Sequence, residues 1–192
     1  MAKKKKEFIK VKKKKWVEVI APDMFNKQQI GESHVEESTS LIGRQLKINL
    51  MTLTRDIKKQ NINAFFKIAE IKENKAFTKI IGFTMVPAAV RRLVRRRRNK
   101  IENSVILTSK DDISFRIKPI IITHNKISKA VATDMSTLLL NELKEVVAKT
   151  PYTVLLSMIL ANKLQREIKS KLSKIVPTRV VEIRYAKEVA KK

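Results

Sequence analysis

The chain of 192 residues contains no cysteine. That removes disulfides, thiolate metal sites and cysteine nucleophiles together, and it fits a reducing compartment. Glycine is almost as scarce: Gly31, Gly43 and Gly82 stand alone, so neither a P-loop nor a dinucleotide fingerprint can be assembled. The two histidines, His34 and His124, have no second ligand at motif spacing. Aromatic residues make up 5% of the chain, which points recognition towards phosphate and shape rather than base readout. The longest apolar run, near TVLLSMILAN, is about ten residues, well short of the roughly twenty needed to span a bilayer. The start, MAKKKKEFIKVKKKKW, has no apolar stretch of the signal-peptide kind. A soluble, cytoplasmic protein with no membrane partner and no cofactor is the expectation.

Carboxylates are also few. Asp and Glu number 18 against 43 Lys and Arg, giving a net charge of +25 and a pI near 10.4. Such a balance is expected of nucleic-acid binders. The charge is also concentrated. Residues 1–15 carry nine lysines and one Glu (+8), and residues 91–100 carry six arginines and one lysine (+7), so these twenty-five residues hold +15 of the +25. Two dense basic elements fit a polyphosphate partner of defined surface, since each cation that meets a phosphate releases condensed counterions.

The second cluster, VRRLVRRRRNK (90–100), has no carboxylate at all. Val90, Leu93 and Val94 fall at i, i+3 and i+4, the pattern of one helical stripe, with Pro87 at the start and Asn99 at the end. The arginines then share the outward faces, except Arg97, which the spacing places nearer the apolar stripe. Arg91 with Arg95 and Arg92 with Arg96 are like charges at i, i+4, each costing an isolated helix a few tenths of a kcal/mol. An external anion would offset that cost, and the guanidinium fork suits phosphate.

Period-two alternation marks the strands. LKINL aligns Leu46, Ile48 and Leu50; INAFFKIAEI aligns Ile62, Ala64, Phe66 and Ile68; ISFRIKPIII aligns Ile113, Phe115, Ile117 and Ile121. Tight connections at IKENKAF and LTSKDDISF support antiparallel pairing, and Pro119 suggests an edge or a strand end. With WVEVI and VVEIRY the count is six or seven strands. The fold class is α+β: an antiparallel β-barrel with an inserted Arg-rich helix and two longer C-terminal helices. The first of these, KAVATDMSTLLLNELKEVVAK, lines one face with Val131, Met135, Leu138, Leu139, Leu143, Val146 and Val147; the second starts with Thr150 as N-cap and Pro151 at its first position and runs to about Ile175. Residues 1–15 read as a basic disordered extension, too poor in apolar groups to offset chain entropy, and residues 16–192 as a single domain.

Catalytic groups are thin. Glu36 with Glu37, or Asp111 with Asp112, could in principle hold Mg²⁺ in a nuclease, but neighbours on a strand point to opposite faces and the aspartates lie in a hairpin turn. The chain is expected not to be an enzyme. A chromatin-type DNA binder would share the charge and differs by its preference between duplex DNA and structured RNA.

Five blocks then occur in a telling order: KKKKWVEVIAPDMFNKQQIGES, LIGRQLKINLMTLTRD, NINAFFKIAEIKENKAFTKIIGF, VRRLVRRRRNKI and IVPTRVVEIRYAKEV. Together they resemble the small-subunit ribosomal protein family S-three-A-e, over residues 13–189, and the missing C-terminal tail resembles the archaeal branch. The resemblance implies a structural protein on the platform of the small ribosomal subunit, supporting translation. It implies contacts with small-subunit ribosomal RNA, especially its 3′ region, with neighbouring ribosomal proteins, and with messenger RNA near the exit. The residues expected at RNA are Lys3, Lys4, Lys5, Lys6, Lys10, Lys12, Lys13, Lys14, Lys15, Trp16, Arg44, Arg91, Arg92, Arg95, Arg96, Arg97, Arg98 and Lys100. Trp16 either stacks on an exposed base or is a sheet residue. Where family members tend to have a hydroxyl-containing start to the arginine helix and a later basic segment, this chain reads FTMVPAAV and THNKISKAVATDMS, so residues 124–136 are left out of the set.

Overall fold

The computed structural model describes residues 13–189. Along them run nine strands and five α-helices: β1 (Lys15–Ile20), β2 (Gln29–Val35), β3 (Gln45–Asn49), α1 (Leu50–Thr54), β4 (Ile62–Lys72), β5 (Lys75–Met85), α2 (Pro87–Leu93), β6 (Lys100–Glu102), β7 (Val105–Thr108), β8 (Ser114–Thr123), α3 (Lys129–Lys149), α4 (Tyr152–Leu160), α5 (Lys163–Leu172) and β9 (Thr178–Glu188). The α+β class holds, with more strands than the six or seven expected. The additional ones are β2 and β6. QIGESHV lacks apolar alternation, and only its Val35 is buried; β6 is three residues inside the stretch read as a helix end.

Hydrogen bonds connect the strands in the order β2-β1-β5-β9-β8-β6, with β4 bonded to β3 and β5, and β7 to β8. The sheet is open rather than the closed barrel expected: β2 and β3 each have a single partner, so no ladder returns to complete a ring. Nor is it wholly antiparallel, since β1 runs parallel to β5 through Glu18–Lys75, Val19–Ala76 and Ile20–Phe77.

The described residues up to Gln45, with Lys67–Lys79, form one compact unit. Its core holds Val17, Val19, Phe25, Val35, Leu41 and Ile68. Thr78, nearly buried on β5, donates from Oγ1 to the Ile20 carbonyl at 2.7 Å, which satisfies its hydroxyl.

The rest, from Leu46 to Phe66 and from Ile80 onward, forms the second unit. Its β8 is apolar on both faces after Lys118, because Pro119 to Thr123 are all buried. Pro119 is therefore not at an edge. It sits where the β8–β9 register slips from Lys118–Tyr185 to Pro119–Ile183, a bulge that accommodates a residue without a donor. Gly82 lets β5 approach β9 closely: its φ is +153°, and a Cβ there would lie 2.2 Å from the Ala186 carbonyl oxygen. Leu50, expected on a strand face, opens α1 behind the Asn49 cap, whose Oδ1 accepts from the Met51 amide at 2.9 Å.

α5 packs on β9, and α3 on α5, β6 and β7. The second C-terminal helix is in fact two. Asn162 adopts a left-handed φ of 58°, which asparagine tolerates, and splits α4 from α5. Thr150 closes α3, with its hydroxyl on the Val146 carbonyl at 2.8 Å, and Pro151 takes the cap position. Among the described residues, no helix is long and apolar enough to cross a membrane.

Candidate nucleic-acid interface

The arginine cluster lies in the second unit, on a short helix followed by a turn. Pro87 begins α2 as expected, and Ala89 faces inward. The helix ends at Leu93, not at Asn99. Val94 is extended, with φ −81° and ψ 127°, and 37% exposed. Stopping there separates Arg95 and Arg96 from the helical rows in which they would repel Arg91 and Arg92. The chain then turns through Arg97, which is left-handed at φ 62° and exposed; Arg98 is the arginine turned partly inward.

Both ends of the turn are pinned. Before it, Asn61 accepts from the Val86 amide at 2.8 Å through its carbonyl and from Arg92 Nη2 at 2.9 Å through Oδ1. After it, the Asn99 amide donates to Thr123 Oγ1 at 3.1 Å, its side-chain Nδ2 donates to the Ile127 carbonyl at 3.2 Å, and the Thr123 amide donates back to the Asn99 carbonyl at 3.1 Å. Arg91, Arg95, Arg96 and Arg97 are exposed and make no ion pair among the described residues. Arg92 and Lys100 are partly committed, to Asn61 and, at 3.2 Å, to Glu102.

Beside the turn is a cleft of about 400 Å³ lined by Met85, Pro87, Val90, Arg91, Lys100, Glu102, Lys118, Arg184 and Tyr185. Sequence reasoning missed Lys118 and Arg184. The strand alternation in FRIKP and EIRY put both on polar faces, but only the β8–β9 pairing brings them together.

The other group lies in the first unit. Lys13, Lys14, Lys15 and Trp16 are exposed; Lys3 to Lys12 lie outside the described residues. Trp16 is 61% exposed and stacks on His34, its cross-strand partner on β2, with ring centroids 4.6 Å apart. Arg44, also exposed, donates from Nη1 to Ser33 Oγ at 3.1 Å.

The aspartate pair has structural tasks. Asp111 Oδ2 accepts from the Tyr152 amide at 3.0 Å and so caps α4 from the hairpin, a structural task. Asp112 holds the left-handed turn position at φ 54°.

Guanidiniums presented on a braced turn, with the best-placed aspartate used as a helix cap, define a protein with a basic, anion-facing surface. The family follows from comparison: the chain belongs to the ribosomal S3Ae family, whose model matches residues 2–192. Relatives named small ribosomal subunit protein eS1 are similar along most of their length. That of Staphylothermus marinus is 30% identical over 178 residues, covering 93% of this chain and 84% of its own. That of Methanothrix thermoacetophila is 30% identical over 184 residues (94% and 86%), and that of Nanoarchaeum equitans 27% over 172 (90% and 87%). All three are archaeal, in agreement with the branch the sequence resembles.

Proposed function

We propose that the chain is a structural constituent of the cytoplasmic small ribosomal subunit that binds ribosomal RNA through the arginine turn, with Lys13 to Trp16, Arg44 and the lysines of residues 1–12 as further contacts. The observation that carries this reading is the set of four exposed arginines, Arg91, Arg95, Arg96 and Arg97, without carboxylate partners on a turn pinned at both ends. The relatives' shared name supports the subunit. A platform position near the messenger exit, contacts with the 3′ region of the RNA and with neighbouring proteins belong to the same reading. Trp16 stacks on an unpaired base; its exposure favours that role over burial in the sheet.

The test separates charge from geometry. Arg95→Lys, Arg96→Lys and Arg97→Lys together keep the charge but lose the bidentate fork; the matching Gln triple loses both. Arg98 is left intact because its Nη1 is buried. On small-subunit RNA the Gln triple is expected to show a shallower dependence of log affinity on log salt, by about 0.7–0.9 per lost phosphate contact, while the Lys triple keeps the slope and binds more weakly. Identical slopes and affinities for all three proteins would make the arginines a solvated face.

A further inference from the structure

The cleft beside the arginine turn is built unlike the turn itself. Four cations reach its lining from four elements: Arg91 from α2, Lys100 from β6, Lys118 from β8 and Arg184 from β9. One carboxylate, Glu102, stands among them, paired with Lys100 at 3.2 Å and Arg184 at 3.3 Å. Arg91 and Lys118 have no ion pair among the described residues. Met85, Pro87 and Val90 supply an apolar wall, and the Tyr185 ring carries the Lys118 ammonium 5.3 Å from its centroid. The volume, about 400 Å³, lies within the range of sites that enclose a small ligand.

A bare phosphate would use the cations and leave the apolar wall wet. A flat apolar ligand would leave the cations unmatched. A nucleotide satisfies both at once, with an anionic phosphate for Arg91 and Lys100 and a planar base for the wall and the ring. We infer that this cleft receives a single everted nucleotide of the RNA strand whose phosphates the arginine turn engages. The inference rests on the reading above that this surface meets RNA, and adds to it a shape-selective pocket. Backbone contacts give affinity without sequence information, whereas an enclosed base restricts which RNA conformations fit.

Three measurements test it. RNA carrying 4-thiouridine is crosslinked to the wild-type protein on small-subunit RNA, and the crosslinked peptides are identified by mass spectrometry. Crosslinks to residues 84–87 or 183–187 are expected; crosslinks confined to residues 94–98 would overturn the cleft while leaving the arginine turn as an RNA contact. The second measurement fills the cleft. Val90→Trp is expected to lower affinity about tenfold, the size of one lost base–aromatic stack, with the salt slope falling by no more than about 0.7–0.9, the one phosphate contact that the cleft supplies, because the turn's own phosphate contacts remain. Wild-type affinity for this variant, with a normal unfolding transition, would overturn the proposal. The third separates strand from free nucleotide. Uridine 5′-monophosphate at micromolar concentration is expected to leave the amide resonances of residues 84–87 and 183–187 unshifted, and saturable shifts there would make the cleft a free-nucleotide site instead.

Discussion

Burial raises the carboxyl of Glu182 above the ordinary carboxylate range. The residue lies opposite Ile120 in the β8–β9 ladder and lines a small cleft with Lys58, Asn61, Arg92 and Asn162. A carboxyl that holds its proton more tightly in the folded chain than in the unfolded one favours folding while protonated, and that contribution is lost as pH rises through the raised value. Glu182→Gln should therefore melt higher than the wild type at about pH 8, with the difference vanishing near about pH 4. Equal differences at both pH values would show that Glu182 does not titrate in this way. Nothing in VVEIRY singles out Glu182, because desolvation depends on what the fold stacks over it. Trp16 and the arginines are similar. Trp16 is a strand residue that is nevertheless exposed, which the pattern of WVEVI did not tell, and the helical wheel placed Arg97 inward where a left-handed turn places it outward and turns Arg98 in its stead.

At the scale of elements, long alternating or 3.6-periodic segments were readable: β4, β8, β9 and α3 lie where the patterns put them, because β4 and α3 each bury one continuous face and β8 and β9 are long apolar-rich runs. Ends were less readable. α2 stops early where like charges accumulate, and the break before α5 hangs on one asparagine. Least visible was the link between the β7–β8 hairpin and α4, which spans 41 residues of sequence. α4 has Pro151 at its cap position and no capping side chain of its own, so Asp111 supplies the acceptor from a distance. Asp111→Ala should destabilise the protein by about 1 kcal/mol in denaturant titrations, and Asp111→Asn, which keeps an acceptor, by less. If alanine and wild type unfolded at the same midpoint, the bond would contribute nothing to α4.

For the molecule as a whole, composition and charge distribution are the ground of the polyanionic partner proposed above, whereas the topology was not in them. A parallel β1–β5 pair and an open sheet depend on contacts far apart in sequence, which no local period reports. A net charge of +25 also opposes compaction through self-repulsion. Multivalent anions that bind the folded cations should relieve it. Sodium sulfate is expected to raise the melting temperature more than sodium chloride of equal ionic strength, and the arginine-to-glutamine triple to narrow that gap. An unchanged gap would mean that the turn is not where anions act.

Under the RNA-binding role proposed above, the bonds that brace the arginine turn, Arg92 to Asn61 before it and Asn99 to Thr123 after it, also bear on how fast the chain can be captured during subunit assembly. A cationic surface already in its final shape adds no ordering step after collision, so charge steering acts directly on the association rate. The rate of capture should fall steeply with salt and the rate of escape far less, as is usual where long-range attraction sets encounter and close fit sets residence. Asn99→Ala would leave every charge in place and loosen one end of the brace. Capture by the nascent RNA would then slow although the charge that steers it is unaltered, making the turn's rigidity a determinant of when in assembly the protein joins.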